Sequence, residues 1–452
     1  MEILGIQLAA PQVEAWLPVA KILWEFIKSW WWVFAPFVLL PEFIWLWQWN
    51  RIDRYDETQP YMILEFRFPQ TVEKPIQAME NVFQGFWQIY DPPNLREFWF
   101  EGQYQKSLTL ELVSTEGEVH FYLRSIKSSW QIIESALYSQ FPDAELVEVP
   151  DYTTKVPQNI PNKEWKLWGA TFRLAKGDYF PIRTYPYFEP NPDAKEEKRV
   201  DPMTIIVEAL SKLGQGEHMW IQFLCTPFGM IEKSGPAYVE GGKQLIDELV
   251  HRSSPGGKAA TIPLWEDIRA AGNMAATGQD TERKMVGGVE EQQGLLAPEL
   301  RLTPGERDIV AGVEQKISKP PFKVNIQFVY FAQIDKYFGP AKALPFSYFN
   351  MFAHATMNYL TTLRTVKVHT VPLFFLDQRR GYLRRRRIFK SHLWRLGIFP
   401  HAFTPKFVLN TEELASLFHF PSRITFPSGN IPRVETKKGE APPGLPLDVL
   451  EE

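Results

Sequence analysis

The densest group of chemistry-bearing side chains lies between Asp377 and Leu396, DQRRGYLRRRRIFKSHLWRL. Arg379, Arg380, Arg384, Arg385, Arg386, Arg387, Lys390 and Arg395 fall there, interleaved with Tyr382, Phe389 and Trp394. Guanidinium groups are planar forks that bind carboxylates and phosphates through paired hydrogen bonds. On a helix of about 3.6 residues per turn, four consecutive arginines point to all sides. Three readings stay open for this basic surface: a solvated helix pairing with acidic residues of the same chain, a face for a protein partner or anionic lipid, and a contact with DNA.

Nothing comparable is assembled for catalysis. A phosphate-binding loop needs leading glycines for backbone approach and a lysine followed by a hydroxyl; the nearest string, Pro255-Gly256-Gly257-Lys258-Ala259, lacks the first glycine and the hydroxyl. The closest of the eight histidines, His392 and His401, are nine apart, and Cys225 has no second thiol to join it on a metal. Neither a G-x-S-x-G elbow nor a G-x-G-x-x-G turn occurs. Glu412 and Glu413 suit the start of a helix better than acid-base chemistry. The expectation is a chain that is not an enzyme, with no cofactor and no metal. Its formal charge of −4 over 452 residues exerts no general pull on nucleic acid, so any such contact must be local.

The elements that would position the basic stretch begin with an aromatic-rich terminus. Eight of the sixteen tryptophans precede residue 50. WWWVFAPFVLLPEFIWLWQW, residues 30 to 49, carries one charge, Glu42, and as a helix reaches roughly 30 Å, the thickness of a bilayer core. Trp30, Trp31 and Trp32 at one end and Trp45, Trp47 and Trp49 at the other match the indole belts of membrane interfaces. The expectation is a membrane anchor preceded by an interfacial helix over Val13 to Lys28. A helix lying in the interface or re-entering at Pro36 and Pro41, and a buried hairpin, are the other readings. Flanking charges, Lys21 and Lys28 against Arg51 and Arg54, do not decide orientation.

Beyond the anchor the pattern is α+β. Alternation over Tyr61 to Pro69, helical spacing over Glu73 to Trp87, a hairpin from Ser107 to Ile126, a helix over Ser129 to Phe141 and a strand over Ala144 to Val149 predict the β-α-β-β-α-β order of a ferredoxin-like module. A second α/β module follows, with strands at Lys166 to Ala175, Met219 to Thr226 and Phe322 to Gln333. Its helices are expected at Pro202 to Leu213, Gly241 to His251, from Thr303 with a capping box to Glu306, and at Ser347 to Leu360. A Gly-, Ala- and charge-rich insertion at about 253–300 reads as loop or disordered. The predicted division is 1–55 anchor, 56–155 ferredoxin-like module, 156–376 second module, 377–426 basic helix and a helix capped by Asn410, and 427–452 an extended tail. No repeat of fixed period is visible.

Several strings form a set: HFYLRSIKSSWQIIESALYSQFPDAELVEVPDY from His120 to Tyr152, DP followed by EALSKLGQGEHMWIQ from Asp201 to Gln222, LTPGE from Leu302, and LNTEELASLFHFPS from Leu409. Together they resemble the pre-motor region of coupling-protein-like ATPases of conjugative type IV secretion systems from uncultivated bacteria with reduced genomes. In that family a tail like IPRVETKKGEAPPGLP, here from Ile431, leads into a RecA-like motor, which this sequence does not contain. The resemblance implies a non-catalytic scaffold at the cell membrane with its body in the cytoplasm, partnering a separate ATPase, and the hexameric motors of such systems imply several copies. The alternative is a membrane-tethered DNA-binding protein using Arg379 to Arg395.

Overall fold

In the computed structural model of the chain, residues 10–68, 74–188, 201–229, 238–250, 302–365, 377–395 and 406–421 are described. The expected insertion at 253–300 and tail at 427–452 lie outside them, as do the side chains of Trp16 and Trp31. The chain divides into two compact units, Met1–Pro60 with Pro92–Tyr104, and Tyr61–Asp91 with Gln105–Glu452.

The first unit is built on one helix, α1 (Ala10–Thr58), with Pro18, Pro36 and Pro41 inside it. The stretches expected as interfacial helix, Val13 to Lys28, and as anchor, residues 30 to 49, both lie within this one helix. Among the described residues no helix is long and apolar enough to cross a membrane. In α1 the cause is dilution: indoles, prolines, Lys21, Glu25, Lys28 and Glu42 interrupt its aliphatic residues. The spanning anchor is thus not supported by hydropathy. The C-terminal end of α1 packs on a π-helical turn, Glu97–Glu101. Trp47 Nε1 donates to the Trp99 carbonyl at 3.3 Å and Gln48 Nε2 to that of Phe98 at 2.8 Å, while the Arg51 guanidinium lies over the Trp47 ring. Gly102 closes the turn at a φ of 76°, and a Cβ there would stand 2.3 Å from the Arg51 carbonyl oxygen, so only glycine fits.

The second unit is an antiparallel sheet with helices, an α+β arrangement. In chain order its elements are β1 (Tyr61–Arg67), α2 (Ile76–Trp87), β2 (Leu108–Thr115), β3 (Glu118–Ile126), α3 (Trp130–Tyr138), β4 (Glu145–Glu148), β5 (Trp165–Leu174), α4 (Pro202–Ser211), β6 (Glu217–Pro227), α5 (Tyr238–Leu249), α6 (Pro304–Ser318), β7 (Pro321–Gln333), α7 (Leu344–Asn350), β8 (Leu360–Thr365), α8 (Asp377–Leu393), β9 (Phe407–Asn410) and α9 (Thr411–Leu417). Short 3-10 turns lie between them. The helix expected over Ser347 to Leu360 is α7, which starts earlier and stops at Asn350.

The strands lie in the order β4-β1-β3-β2-β6-β7-β5-β8, with β9 against the start of β7. This order holds an internal repeat that the sequence does not display. The first half runs β1-α2-β2-β3-α3-β4 and the second β5-α4-β6-β7-α7-β8, and both arrange their strands fourth-first-third-second. The second strands of the two halves, β2 and β6, pair antiparallel from Leu108↔Cys225 to Thr115↔His218, joining the halves into one continuous sheet. The counterpart of the tight β2-β3 turn is the long β6-β7 connection, which carries α5 and α6.

One face of the sheet carries the main core. Met79, Val82, Phe83 and Phe86 of α2, Ile133 and Leu137 of α3, Met203, Ile206 and Leu210 of α4 and Tyr348 and Phe349 of α7 are buried there. α9 completes that layer. Its capping box is reciprocal, with Asn410 Oδ1 accepting from the Glu413 N–H at 2.8 Å and Glu413 Oε2 from the Asn410 N–H at 3.0 Å. Glu413 is fully buried against Lys316 Nζ of α6 at 3.0 Å. Glu412 and Glu80 share Lys319 at 2.6 and 2.7 Å. The stretch from Leu409 to Pro421 is thus a structural keystone, tying α2, α6 and the sheet together.

Candidate functional site

The opposite face carries α8, the basic helix, lying over β5 and β7. Its sheet-facing side is apolar and polar by turns. Phe389 is fully buried against Trp220 and Phe331, with Leu393 beside it. Ser391 Oγ donates to Gln327 Oε1 at 3.1 Å, and Gln222 Nε2 donates to the His392 carbonyl at 3.2 Å. Close approach next to Phe389 depends on Gly169 of β5: a Cβ there would lie 2.7 Å from the Phe328 carbonyl oxygen and 3.0 Å from Ile388 Cγ2.

Arg395 does not belong to the basic surface. The helix ends at Leu393, and Arg395 adopts a left-handed φ of 50°, which turns its side chain under the helix toward the sheet. There Nε meets Glu111 Oε1 at 2.6 Å and Nη2 meets Oε2 at 3.2 Å, while Nη1 and Nη2 reach Asp151 at 2.7 and 3.0 Å. Burial alone would lower the guanidinium pKa, but Glu111 and Asp151 hold it well above its ordinary value. Burial likewise opposes the charged form of Asp151, and the Arg395 hydrogen bonds overcome it, keeping that carboxyl below the usual range. Spacing along the chain does not reveal this pair of carboxylates. A signal exists in Glu111, a lone charge inside the apolar run SLTLELV, which a buried strand tolerates only with a cation.

The remaining basic residues face outward. Arg379, Arg380, Arg384 and Arg387 are exposed; Arg385, Arg386 and Lys390 are half-buried. Arg386 Nη1 donates to the Tyr382 hydroxyl at 3.3 Å, and Lys390 lies over Trp394. Beside them opens a groove of about 640 Å³ between α8 and the start of β5, lined by Lys163, Lys166, Arg385, Arg386, Asn162 and Tyr382 among others. Among the described residues, four cations and no carboxylate line it. Lys163 and Lys166 do not stand out in the sequence, because they join Arg385 and Arg386 only through the docking of α8. The lining concentrates positive charge locally, against the chain's net −4.

A second cleft, of about 600 Å³, lies on the same face of the sheet over β1, β3, β2 and β6. Register aligns its floor in rows: Val113 stands between His120 and Trp220, and Thr115 between Glu118 and His218. Glu65 accepts from Arg67 at 2.9 Å and lies 2.7 Å from His120 Nδ1. Burial works against its charge, yet these two partners keep its pKa below the ordinary value. Tyr122 stacks between His120 and Tyr152. Burial lowers the pKa of His218, more than Glu116 raises it, so its imidazole is neutral at pH 7.

Of the tryptophans expected to form an anchor, Trp30, Trp32, Trp45 and Trp47 are exposed on α1 and Trp49 is half-buried. Cys225 is buried in β6, where burial pushes its thiol pKa up and leaves it unreactive. Compared with known proteins, the chain matches no family model and no curated relative.

Proposed function

We propose that the chain is a non-catalytic, membrane-associated scaffold subunit of a type IV secretion-like DNA-transfer machine, with its body in the cytoplasm and a separate RecA-like ATPase as partner. The observation that supports this most is the docked α8. Buried contacts from Phe389 to Arg395 fix the helix, so the outward basic side chains are carried on a stationary support. Such a surface binds and positions.

Membrane association is read from α1. Ile22, Trp24, Phe43, Leu46 and Trp47 are exposed on the helix, and Leu95, Trp99 and Phe100 are exposed on or beside the π-helical turn of the same unit. Large apolar patches of this kind, rimmed by indoles, seek a lipid interface or a partner. The β-α-β-β-α-β halves suit a doubled ferredoxin-like body held at that interface. Flotation of full-length protein with vesicles of mixed neutral and anionic lipid tests the membrane part: the protein should rise with the lipid, and Phe43→Ser/Leu46→Ser/Trp47→Ser should leave it at the bottom of the gradient.

DNA binding by the body is the second reading, and the acid-free groove favours it. Retention of duplex DNA should then fall steeply with salt and be lost on Lys163→Glu/Arg386→Glu; undiminished retention in that variant removes the groove from the account.

A further inference from the structure

The groove beside α8 gathers four cations and leaves them uncompensated. Lys163, Lys166, Arg385 and Arg386 line it, and among the described residues none of the four makes an ion pair. Elsewhere the fold answers its buried cations with carboxylates: Lys316 meets Glu413, Lys319 meets Glu80 and Glu412, and Arg395 meets Glu111 and Asp151. Four like charges around one recess repel each other, and the half-burial of Arg385 and Arg386 adds a desolvation cost. An anion from outside the chain offsets both.

The cations stand on supports that are already fixed. Asn162 Oδ1 accepts from the Glu164 and Trp165 N–H groups, both at 2.8 Å. The Ile334 N–H donates to the Glu164 carbonyl at 2.9 Å, which pins the turn carrying Lys163 to the end of β7. Lys166 follows at the start of β5, its Nζ 4.4 Å from the centre of the Tyr337 ring. Burial raises the Tyr337 hydroxyl pKa and the Arg385 charge opposes it, so Lys166 and Arg385 converge on one ring from strand and helix. Arg386 Nη1, one turn from Tyr382, donates to its hydroxyl at 3.3 Å.

The size of the recess and the density of its charge specify the occupant. At about 640 Å³ it is of small-molecule dimensions. An acidic peptide brings one charge per side chain, and four of them extend over roughly 13 Å of chain. A duplex sets single charges along the outside of a rod. A terminal phosphate alone carries about 1.5–2 charges and takes paired hydrogen bonds from guanidinium forks.

We propose that this recess binds a compact polyphosphate, a ligand with two or more adjacent phosphate groups, which Arg385 and Arg386 reach from α8 and Lys163 and Lys166 from the β5 side. The proposal shares its groove with the DNA reading but requires neither DNA nor the membrane. A free nucleotide and a phosphorylated lipid headgroup both supply this chemistry.

Calorimetric titration of the full-length protein in non-ionic detergent tests it, with inorganic tripolyphosphate as the probe. Binding should weaken as salt rises, and orthophosphate and tetraglutamate should each bind at least about tenfold more weakly. Lys166→Gln/Arg385→Gln should weaken tripolyphosphate at least about tenfold, whereas Arg387→Gln, exposed on α8 outside the recess, should change it less than about twofold. Displacement of the probe by adenosine diphosphate assigns the site to a free nucleotide; displacement by phosphatidylcholine vesicles bearing a bisphosphorylated inositol lipid assigns it to a headgroup. Failure of tripolyphosphate to bind, equal binding of tetraglutamate, or indifference to the double substitution would overturn the proposal. Retention of duplex DNA by a protein that ignores tripolyphosphate would sink this inference alone and leave the DNA reading standing.

Discussion

Arg395 is the residue on which the second face turns. A guanidinium held by two carboxylates, one of them fully buried, contributes little relative to an apolar replacement of all three, but removing it alone strands a buried charge. Arg395→Met is therefore expected to destabilise the protein by about 3–5 kcal/mol in denaturant unfolding, whereas Arg387→Ala, exposed on the same helix, should stay within about 0.5 kcal/mol. Next to it, burial lowers the His392 pKa to about 4, with Arg395 adding to the effect against backbone hydrogen bonds that oppose it. As pH falls through 6.5 the unfolded chain takes up a proton that the folded chain refuses until about pH 4. This contribution to stability is thus complete above pH 6.5 and lost between 6.5 and 4. Unfolding at pH 5 should be easier than at pH 7 by about 2 kcal/mol from this group, and His392→Leu should flatten that slope. Sequence spacing groups Arg395 with its neighbours, since a run of arginines reads as one exposed helix. Only the left-handed turn after Leu393 separates it from them.

At the scale of elements, α8 is basic outside yet bound to the sheet, and Gly169 sets how closely it sits. Gly169→Ala drives a methyl into the Phe328 carbonyl and Ile388, and overpacking of this kind costs about 1–3 kcal/mol. The helix should loosen before the sheet does, so trypsin should cut the variant between residues 379 and 387 faster than wild type under native conditions. Strand and helix order are legible because alternation and helical spacing survive in β1, α2, β2 and β3. So are both capping boxes, at Thr303 and Asn410, because a cap is local chemistry. α7 departs from its expected extent: the apolar spacing runs on past Asn350 into the loop where Phe352 and Met357 are buried without a helix.

For the whole molecule, the informative feature is the repeat. Two halves with the same order of strands and helices meet through β2 and β6, and the second carries its insertion where the first has a tight turn. No fixed period marks this in the sequence, because the connection between β6 and β7 displaces everything after it and because buried strands need only apolar residues, not the same ones. The groove beside α8 and the cleft over β3 and β6 are equally illegible: each gathers residues from distant strands and segments that only the completed sheet brings together. A body with two lined recesses on one face, joined in sequence to a helix of exposed indoles, suits the proposed role of holding partners. The most direct test of that claim is purification of the full-length protein from its native membranes in mild detergent, followed by ATPase assay of the recovered material before and after a chaotropic wash. The scaffold account predicts a second polypeptide bearing a phosphate-binding loop, with ATP hydrolysis that leaves with it; hydrolysis that stays with this chain alone, or recovery of the chain with no such polypeptide, would contradict it.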